Sequence, residues 1–222
     1  MTHLDTELQI LKTNLLDMWS QAISQVEKAR EAIERHDLNL VSEMSAAEKR
    51  IDAYEIKLDM DCEDILALFT PLANDLRLVL AVLKINYNLE RIGDFAWGMA
   101  KAVKETKEPW DKESLEKVGI PVVFDTGLAM LKDALKAFET EDNQLARGIF
   151  QMDEVLDIHN KNAFGIISDL IAKKPGHTKD LLYLLTNIRK MERIGDHTKN
   201  ISEEIIFYLE AKVLRHKKKK NI

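Results

Sequence analysis

"LERIGDFA" at Leu89–Ala96 and "MERIGDHT" at Met191–Thr198 place the same five letters, ERIGD, twice in one chain of 222 residues. Each copy sets a Glu and an Asp four residues apart. On a helix such a pair shares one face, where like charges repel by roughly 0.2–0.5 kcal/mol. A liability that occurs twice implies a compensation that occurs twice, and so a duplicated unit.

The repeat extends far beyond the five letters. "AISQVEKAREAIERHD" (22–37) aligns with "GLAMLKDALKAFETED" (127–142) at an offset of 105. Ile23 then meets Leu128, Val26 meets Leu131, Ala29 meets Ala134, Ile33 meets Phe138 and Asp37 meets Asp142. At the same offset Leu40 meets Leu145, Glu48 meets Asp153, Ile51 meets Leu156 and Asp52 meets Asp157. Between Glu90 and Glu192 the offset is 102, so the second copy is three residues shorter, a loss assigned to the region of its Pro-Gly turn. Tandem duplication of one helical unit is the simplest account.

Apolar spacing makes that unit a set of three helices. Leu78, Val82, Ile85, Leu89, Ile92, Ala96, Met99 and Val103 advance by alternating steps of four and three, a heptad seam. Met44, Ala47, Ile51, Tyr54, Leu58 and Ile65 follow the same steps. Breaks fall at "HDLN" (36–39), "FTPLAND" (69–75), "KEPWDKESLEKVGIPV" (107–122), "TEDN" (140–143) and "KKPGHTKD" (173–180), where Pro and Gly stop helices and Asp, Asn and Thr can cap them. The spacing predicts six long helices, at 4–35, 38–69, 74–106, 120–140, 143–173 and 178–214. The expected fold is all-α: a first three-helix bundle over 1–107, a linker over 108–119 and a second bundle over 120–222.

Composition agrees with a globular helical protein. Hydrophobic residues make up 45% and charged residues 32%, with only 8 Gly and 4 Pro. A net charge of -6 argues against nucleic-acid binding, which wants a basic face. The single Cys62 rules out an internal disulfide and fits a reducing compartment. The N-terminus shows no secretory apolar region, and runs such as "LVLAVL" fall far short of the ~20 residues of a membrane span. A cytoplasmic location is the expectation.

Duplication also exposes a second acidic pair per copy. Glu48/Asp52 and Glu90/Asp94 belong to the first, Asp153/Asp157 and Glu192/Asp196 to the second, all with the spacing [ED]xxx[ED]. Glu55 and Asp59 continue the stripe of Glu48 and Asp52. With Leu89 at heptad position a, Glu90 and Asp94 fall away from the apolar seam, and the other pair lies beside its own seam. A solvated charged face is the bland reading of any one pair. Four pairs at equivalent places favour a cluster of hard oxygen ligands, suited to Mg²⁺, Ca²⁺, Mn²⁺ or iron. Gly93 and Gly195, each costly in mid-helix by about 1 kcal/mol relative to Ala, imply a close approach by a neighbouring helix or a ligand.

Other residues read as structural. Arg91 and Arg193 either steady acidic neighbours or face solvent. His159 and His197, near acidic positions, read as surface residues before ligands, and His36, His177 and His216 as loop or tail residues. Cys62 sits on the apolar seam. Trp19, Trp97 and Trp110 read as packing or interface residues. The tail "RHKKKK" (215–220) reads as a solubilising end, with binding of acidic lipid or protein as the alternative. There is no Gly-rich phosphate loop and no CxxC.

"DLRLVLAVLKINYNLERIGDFA" followed about one hundred residues later by "MERIGDHTKNISEEIIFYLE", together with the opening "HLDTELQILKTNLLDM", resembles the PhoU family over roughly residues 3–212. The resemblance implies two similar three-helix bundles. It implies metal sites at Glu48, Asp52, Glu90, Asp94, Asp153, Asp157, Glu192 and Asp196, for divalent or trivalent ions, with iron, manganese, magnesium and zinc all open. It further implies a non-enzymatic negative regulator of the phosphate-starvation response and phosphate uptake. Such a protein is a homodimeric adaptor between the ATPase PstB of the phosphate ABC transporter and the sensor kinase PhoR, reaching the inner face of the membrane through these partners. One departure stands out: His159 and Asn160 occupy the places of Tyr54 and Glu55, which makes the second site less acidic. Two other functions compete. One is a metal-free helical adaptor. The other is a di-metal carboxylate enzyme, a class that wants Glu-x-x-His pairs pointing inward, and no Glu here has a His three residues later.

Overall fold

Capping chemistry sets one helix boundary in the same way in the two copies. At the first break His36 turns left-handed (φ 53°) and the Asp37 carboxylate accepts hydrogen bonds from the Asn39 and Leu40 amides at 2.8 and 3.2 Å. At the fourth, Glu141 takes the same turn (φ 54°), and Asp142 accepts from Gln144 and Leu145 at 2.8 and 3.0 Å. These are the same turn at the same 105-residue offset. Thr2 opens the chain's first helix with a reciprocal cap, its hydroxyl accepting from the Asp5 amide and its own amide donating to the Asp5 carboxylate.

The computed structural model describes residues 2–213, so the tail at 215–220, with His216, lies outside the described residues. The described chain forms α1 (His3–Arg35), α2 (Leu38–Phe69), α3 (Ala73–Glu105), α4 (Lys112–Val118), α5 (Ile120–Thr140), α6 (Asn143–Lys173) and α7 (Thr178–Glu210), without a strand among the described residues. The six long helices appear where spacing put them, except that the last, expected to run to 214, ends at Glu210, where Ala211 turns left-handed (φ 55°). The seventh, α4, corrects the reading of 107–122 as a plain break. Asp111 caps it by accepting from the Ser114 amide at 2.9 Å, and Gly119 (φ 86°) ends it and starts α5.

α1, α2 and α3 pack on one another, as do α5, α6 and α7; α3 then lies along α7, and α1 meets α5. All eight α3 seam residues are buried. Buried apolar side chains of both copies form one continuous cluster, from Leu8 to Ile206. Polar groups tie the halves together as well. The Trp19 indole donates to the Leu131 carbonyl at 3.3 Å, and Trp110 donates to the Asp180 carbonyl at 2.8 Å. Lys84 pairs with the buried Glu204 at 2.9 Å. Cys62 is fully buried in the α2 seam.

The repeated glycines mark helix crossings. A Cβ on Gly93 would lie 2.9 Å from Ile51 Cδ1, and one on Gly195 would lie 2.5 Å from Leu156 Cδ1. Ile51 and Leu156 are themselves aligned residues of the two copies, so α3 crosses α2 just as α7 crosses α6. Gly148 and Gly165 on α6 have nothing within 4 Å of such a Cβ.

Alanine at these positions should therefore act in opposite directions. Gly148→Ala should raise stability by about 0.5–1 kcal/mol through helix propensity alone. Gly195→Ala gains the same propensity but overpacks against the buried Leu156, at a typical cost of about 1–3 kcal/mol, and should destabilise. Denaturant midpoints of the two variants decide the matter. Equal stabilisation of both would mean that α6 and α7 do not cross tightly at Gly195.

Candidate functional site

The crossing at Gly93 brings the acidic residues of α2 against those of α3. Glu48 is nearly buried, at 8% exposure; Glu90 and Asp94 are half-buried and Asp52 is exposed. Burial first, and then the adjoining Asp94 carboxyl with Asp52 and Glu90 beyond it, pushes the Glu48 pKa up to about 8. Glu90 rises to about 7, again through burial first and the Asp94 charge second. Glu55 is raised too, by burial and then by Asp59 and Asp52. These mutual effects show that carboxylates of both helices share one neighbourhood. Glu48 Oε2 is buried without a hydrogen-bond donor among the described residues, and it borders the space that a Gly93 side chain would fill, 3.7 Å from the Cβ position. Arg91 donates to Asp94 at 2.9 Å and lies over the Phe95 ring.

The second crossing repeats the geometry with one change. Asp153 is fully buried, and Asp157, Glu192 and Asp196 are half-buried. Asp153 Oδ1 is again an oxygen without a donor, 3.3 Å from the Cβ position of Gly195. Its other oxygen, however, accepts from the Lys199 ammonium at 2.5 Å, and Lys199 also donates to Asp196 Oδ1 at 3.0 Å. Burial alone would lower the Lys199 pKa; the hydrogen bonds it donates to Asp153 and Asp196 override that and hold the ammonium charged. Arg193 repeats Arg91, donating to Asp196 at 3.4 Å.

Two expectations need correction. Glu48, expected beside the apolar seam, and its counterpart Asp153 are buried instead, because α3 and α7 cross directly over them. His197 was read as a surface residue. It is half-buried instead, its Nδ1 2.8 Å from Asn88 Oδ1 and its ring against Phe95, so it joins α7 of the second copy to α3 of the first. His159 stands with Nδ1 2.9 Å from the Val155 carbonyl and its ring against Gly119. Lys199 was missed altogether. Its signal was available, since it lies three residues after Asp196 and seven after Glu192, on the acidic face of its own helix.

Among the described residues no three His, Cys, Asp or Glu side chains close on one point as a finished metal cage does. The donor chemistry nevertheless separates the clusters. The first offers hard oxygens, one of them buried and unpartnered, and fits a hard cation. The second also has a buried oxygen without a donor, Asp153 Oδ1, but the Lys199 ammonium already bridges Asp153 and Asp196 there.

The fold is thus a duplicated helical bundle with an acidic cluster at the same crossing of each copy. Both halves match the model of the PhoU domain, at residues 15–103 and 120–205, and the chain belongs to the PhoU family. It is 31% identical over 216 residues to a Pseudomonas putida protein named phosphate-specific transport system accessory protein PhoU homolog, covering 96% of this chain and 82% of that one. A Caulobacter vibrioides protein of the same name is 33% identical over 218 residues, covering 96% and 93%. The crystal structure of PhoU from Pseudomonas aeruginosa superposes with a TM-score of 0.85 at 29% identity, over 94% of this chain and 99% of that one. The phosphate transport system regulatory protein PhoU from Streptococcus pneumoniae gives 0.82 at 26%, over 96% and 99%.

The raised Glu48 makes metal-free stability depend on pH. A carboxyl whose pKa rises on folding, here from 4.5 to about 8, holds its proton more tightly folded than unfolded. Its contribution is complete below the unfolded value and is lost as pH climbs through the folded one. Glu48→Gln removes that loss. Without added metal, the melting temperature of the variant relative to wild type should rise steadily between about pH 5 and about pH 8.5. A difference that stays flat across this window would show that Glu48 titrates as an ordinary exposed carboxylate.

Proposed function

We propose that this chain is a non-enzymatic negative regulator of the phosphate-starvation response and of phosphate uptake. It acts as a homodimeric helical adaptor between the ATPase of a phosphate ABC transporter and a sensor kinase, and it carries its metal ion in the first acidic cluster. The observation that carries the regulatory reading is the family match in both halves, to relatives named accessory and regulatory proteins of phosphate transport. No helix among the described residues is long and apolar enough to cross a membrane, so the adaptor would reach a transporter from the cytoplasmic side through its partners. Glu48, Glu90 and Asp94, with Asp52 at the rim, would hold the ion. It would supply the positive charge that their crowded carboxylates call for.

A metal-free adaptor is the second reading, favoured by the absence of a closed three-ligand group among the described residues. The di-metal enzyme is disfavoured, because the acids sit at the edge of a helix crossing and no Glu-x-x-His pair exists.

Deleting the gene should derepress a phosphatase reporter in phosphate-rich medium, with a double deletion used where the genome holds a second copy. An unchanged reporter would remove the regulatory reading. The metal is tested separately. Glu90→Gln with Asp94→Asn should leave the metal-free melting temperature unchanged or slightly higher, since like charges are removed. The rise on adding Mn²⁺ should appear in wild type and vanish in the double variant, as ligand linkage requires. An equal rise in both would place the ion elsewhere, and no rise in wild type would favour the metal-free adaptor.

A further inference from the structure

The two acidic clusters descend from one unit and differ at one decisive place. Glu48 and Asp94 of the first align with Asp153 and Asp196 of the second. In the second, a single ammonium bridges the aligned pair, with Lys199 Nζ at 2.5 Å from Asp153 and 3.0 Å from Asp196. In the first, Glu48 and Asp94 adjoin as carboxyl against carboxyl, and Glu48 Oε2 has no donor among the described residues. The residue aligned with Lys199 there is Trp97, whose indole lies beneath the ammoniums of Lys101 and Lys104, at 5.2 and 5.9 Å from the ring centre.

The arginines do not account for the difference. Arg91 bonds Asp94, and Arg193 bonds Asp196, in the same way in each copy. The change of Glu55 to Asn160 removes one negative charge that acts on Glu90 in the first copy but brings no cation, and the His159 ring rests on Gly119 with its Nδ1 facing the Val155 carbonyl. What adds a positive charge at the second crossing is Lys199, placed between Asp153 and Asp196. Its side chain is three-quarters buried and meets a carboxylate that is almost wholly buried. An ammonium so placed is compact and carries three donors, two of them used on the same pair of acids that a hard cation would bridge.

We infer that Lys199 is a built-in cation that fills the second acidic cluster, so that the duplicated protein takes exogenous metal at the first cluster only. The two ERIGD segments then have different jobs. Glu90 and Asp94 belong to a binding site, whereas Asp196 is a structural anchor of the bundle. The inference rests on the metal reading proposed above for the first cluster, but its Lys199 half is tested without metal.

The test uses the full chain and Mn²⁺ as the probe. Isothermal titration should give binding in wild type that is lost in Glu48→Gln/Asp94→Asn and kept in Asp153→Asn/Asp196→Asn. Lys199→Met keeps the length of the stem and removes the charge. Metal-free, it should melt below wild type, because Asp153 is left buried beside Asp157 and Asp196 without its partner. Added Mn²⁺ should restore the melting temperature and raise the number of ions bound per chain. Where Lys199→Met does not fold, Lys199→Met/Asp153→Asn removes the buried charge with its partner; it should fold and bind as many ions as wild type. Three results would overturn the inference: wild-type binding that depends on Asp153, a Lys199→Met protein that melts like wild type, or a folded Lys199→Met protein that gains no ion while wild type binds one. If no variant binds Mn²⁺, the metal reading fails by itself. A lower metal-free melting temperature of Lys199→Met, recovered in the double variant, would then still uphold Lys199 as the resident cation.

Discussion

The close crossing of α3 over α2, and of α7 over α6, is the constraint from which the rest of this molecule follows. It is possible only because residues 93 and 195 have no side chain to collide with Ile51 and Leu156. Glycine in mid-helix costs about 1 kcal/mol in propensity, and that loss is offset by burial of the facing aliphatic side chains, at roughly 25 cal/mol per Å² of apolar surface. The same closeness has an electrostatic consequence. It carries Glu48 and Asp153 out of water and sets each against the carboxylates of the crossing helix. Buried like charges are unfavourable unless a proton, an ammonium or a metal ion joins them. The three solutions are chemically equivalent in sign and differ in what they make the site sensitive to: pH, nothing, or the supply of metal.

Much of this was legible in the sequence. Heptad steps located the long helices, and Asp37 and Asp142, each followed by an apolar run, marked two helix starts. The repeat of Gly with Glu and Asp pointed to the crossing before any coordinates did. What stayed hidden depends on groups far apart in the chain. A helical wheel places Glu48 beside the seam of α2, yet it cannot show that α3 will lie over it. Lys199 looks like one more solvated lysine until Asp153, 46 residues earlier, is seen beneath it. His197 meets Asn88 across 109 residues, which no local pattern encodes. α4 was a different kind of miss. Asp111, Ser114 and Gly119 are a legible cap and stop, but a helix of 7 residues is easily absorbed into a break rich in Pro and charge.

The two bundles are not independent beads. α3 and α7 carry the ERIGD segments and are also the helices that pack the two copies together. His197 directly follows Asp196 and bonds Asn88, which lies two residues before Glu90. Arg91, which holds Asp94, stacks on the Phe95 ring that meets His197. A continuous set of contacts therefore links the first acidic cluster to the second through the seam between the copies.

This linkage gives a physical sense to unequal copies. A duplicated fold with two such crossings and no lysine at either would hold crowded buried carboxylates in both copies whenever an outside ion is absent. With Lys199 in place, the second crossing has a cation of its own between Asp153 and Asp196, while Asp153 Oδ1 still lacks a donor among the described residues. The first crossing keeps its deficit of positive charge. The two crossings of this molecule differ in their side chains in that Lys199 lies between Asp153 and Asp196, whereas Glu48 and Asp94 meet with no lysine between them.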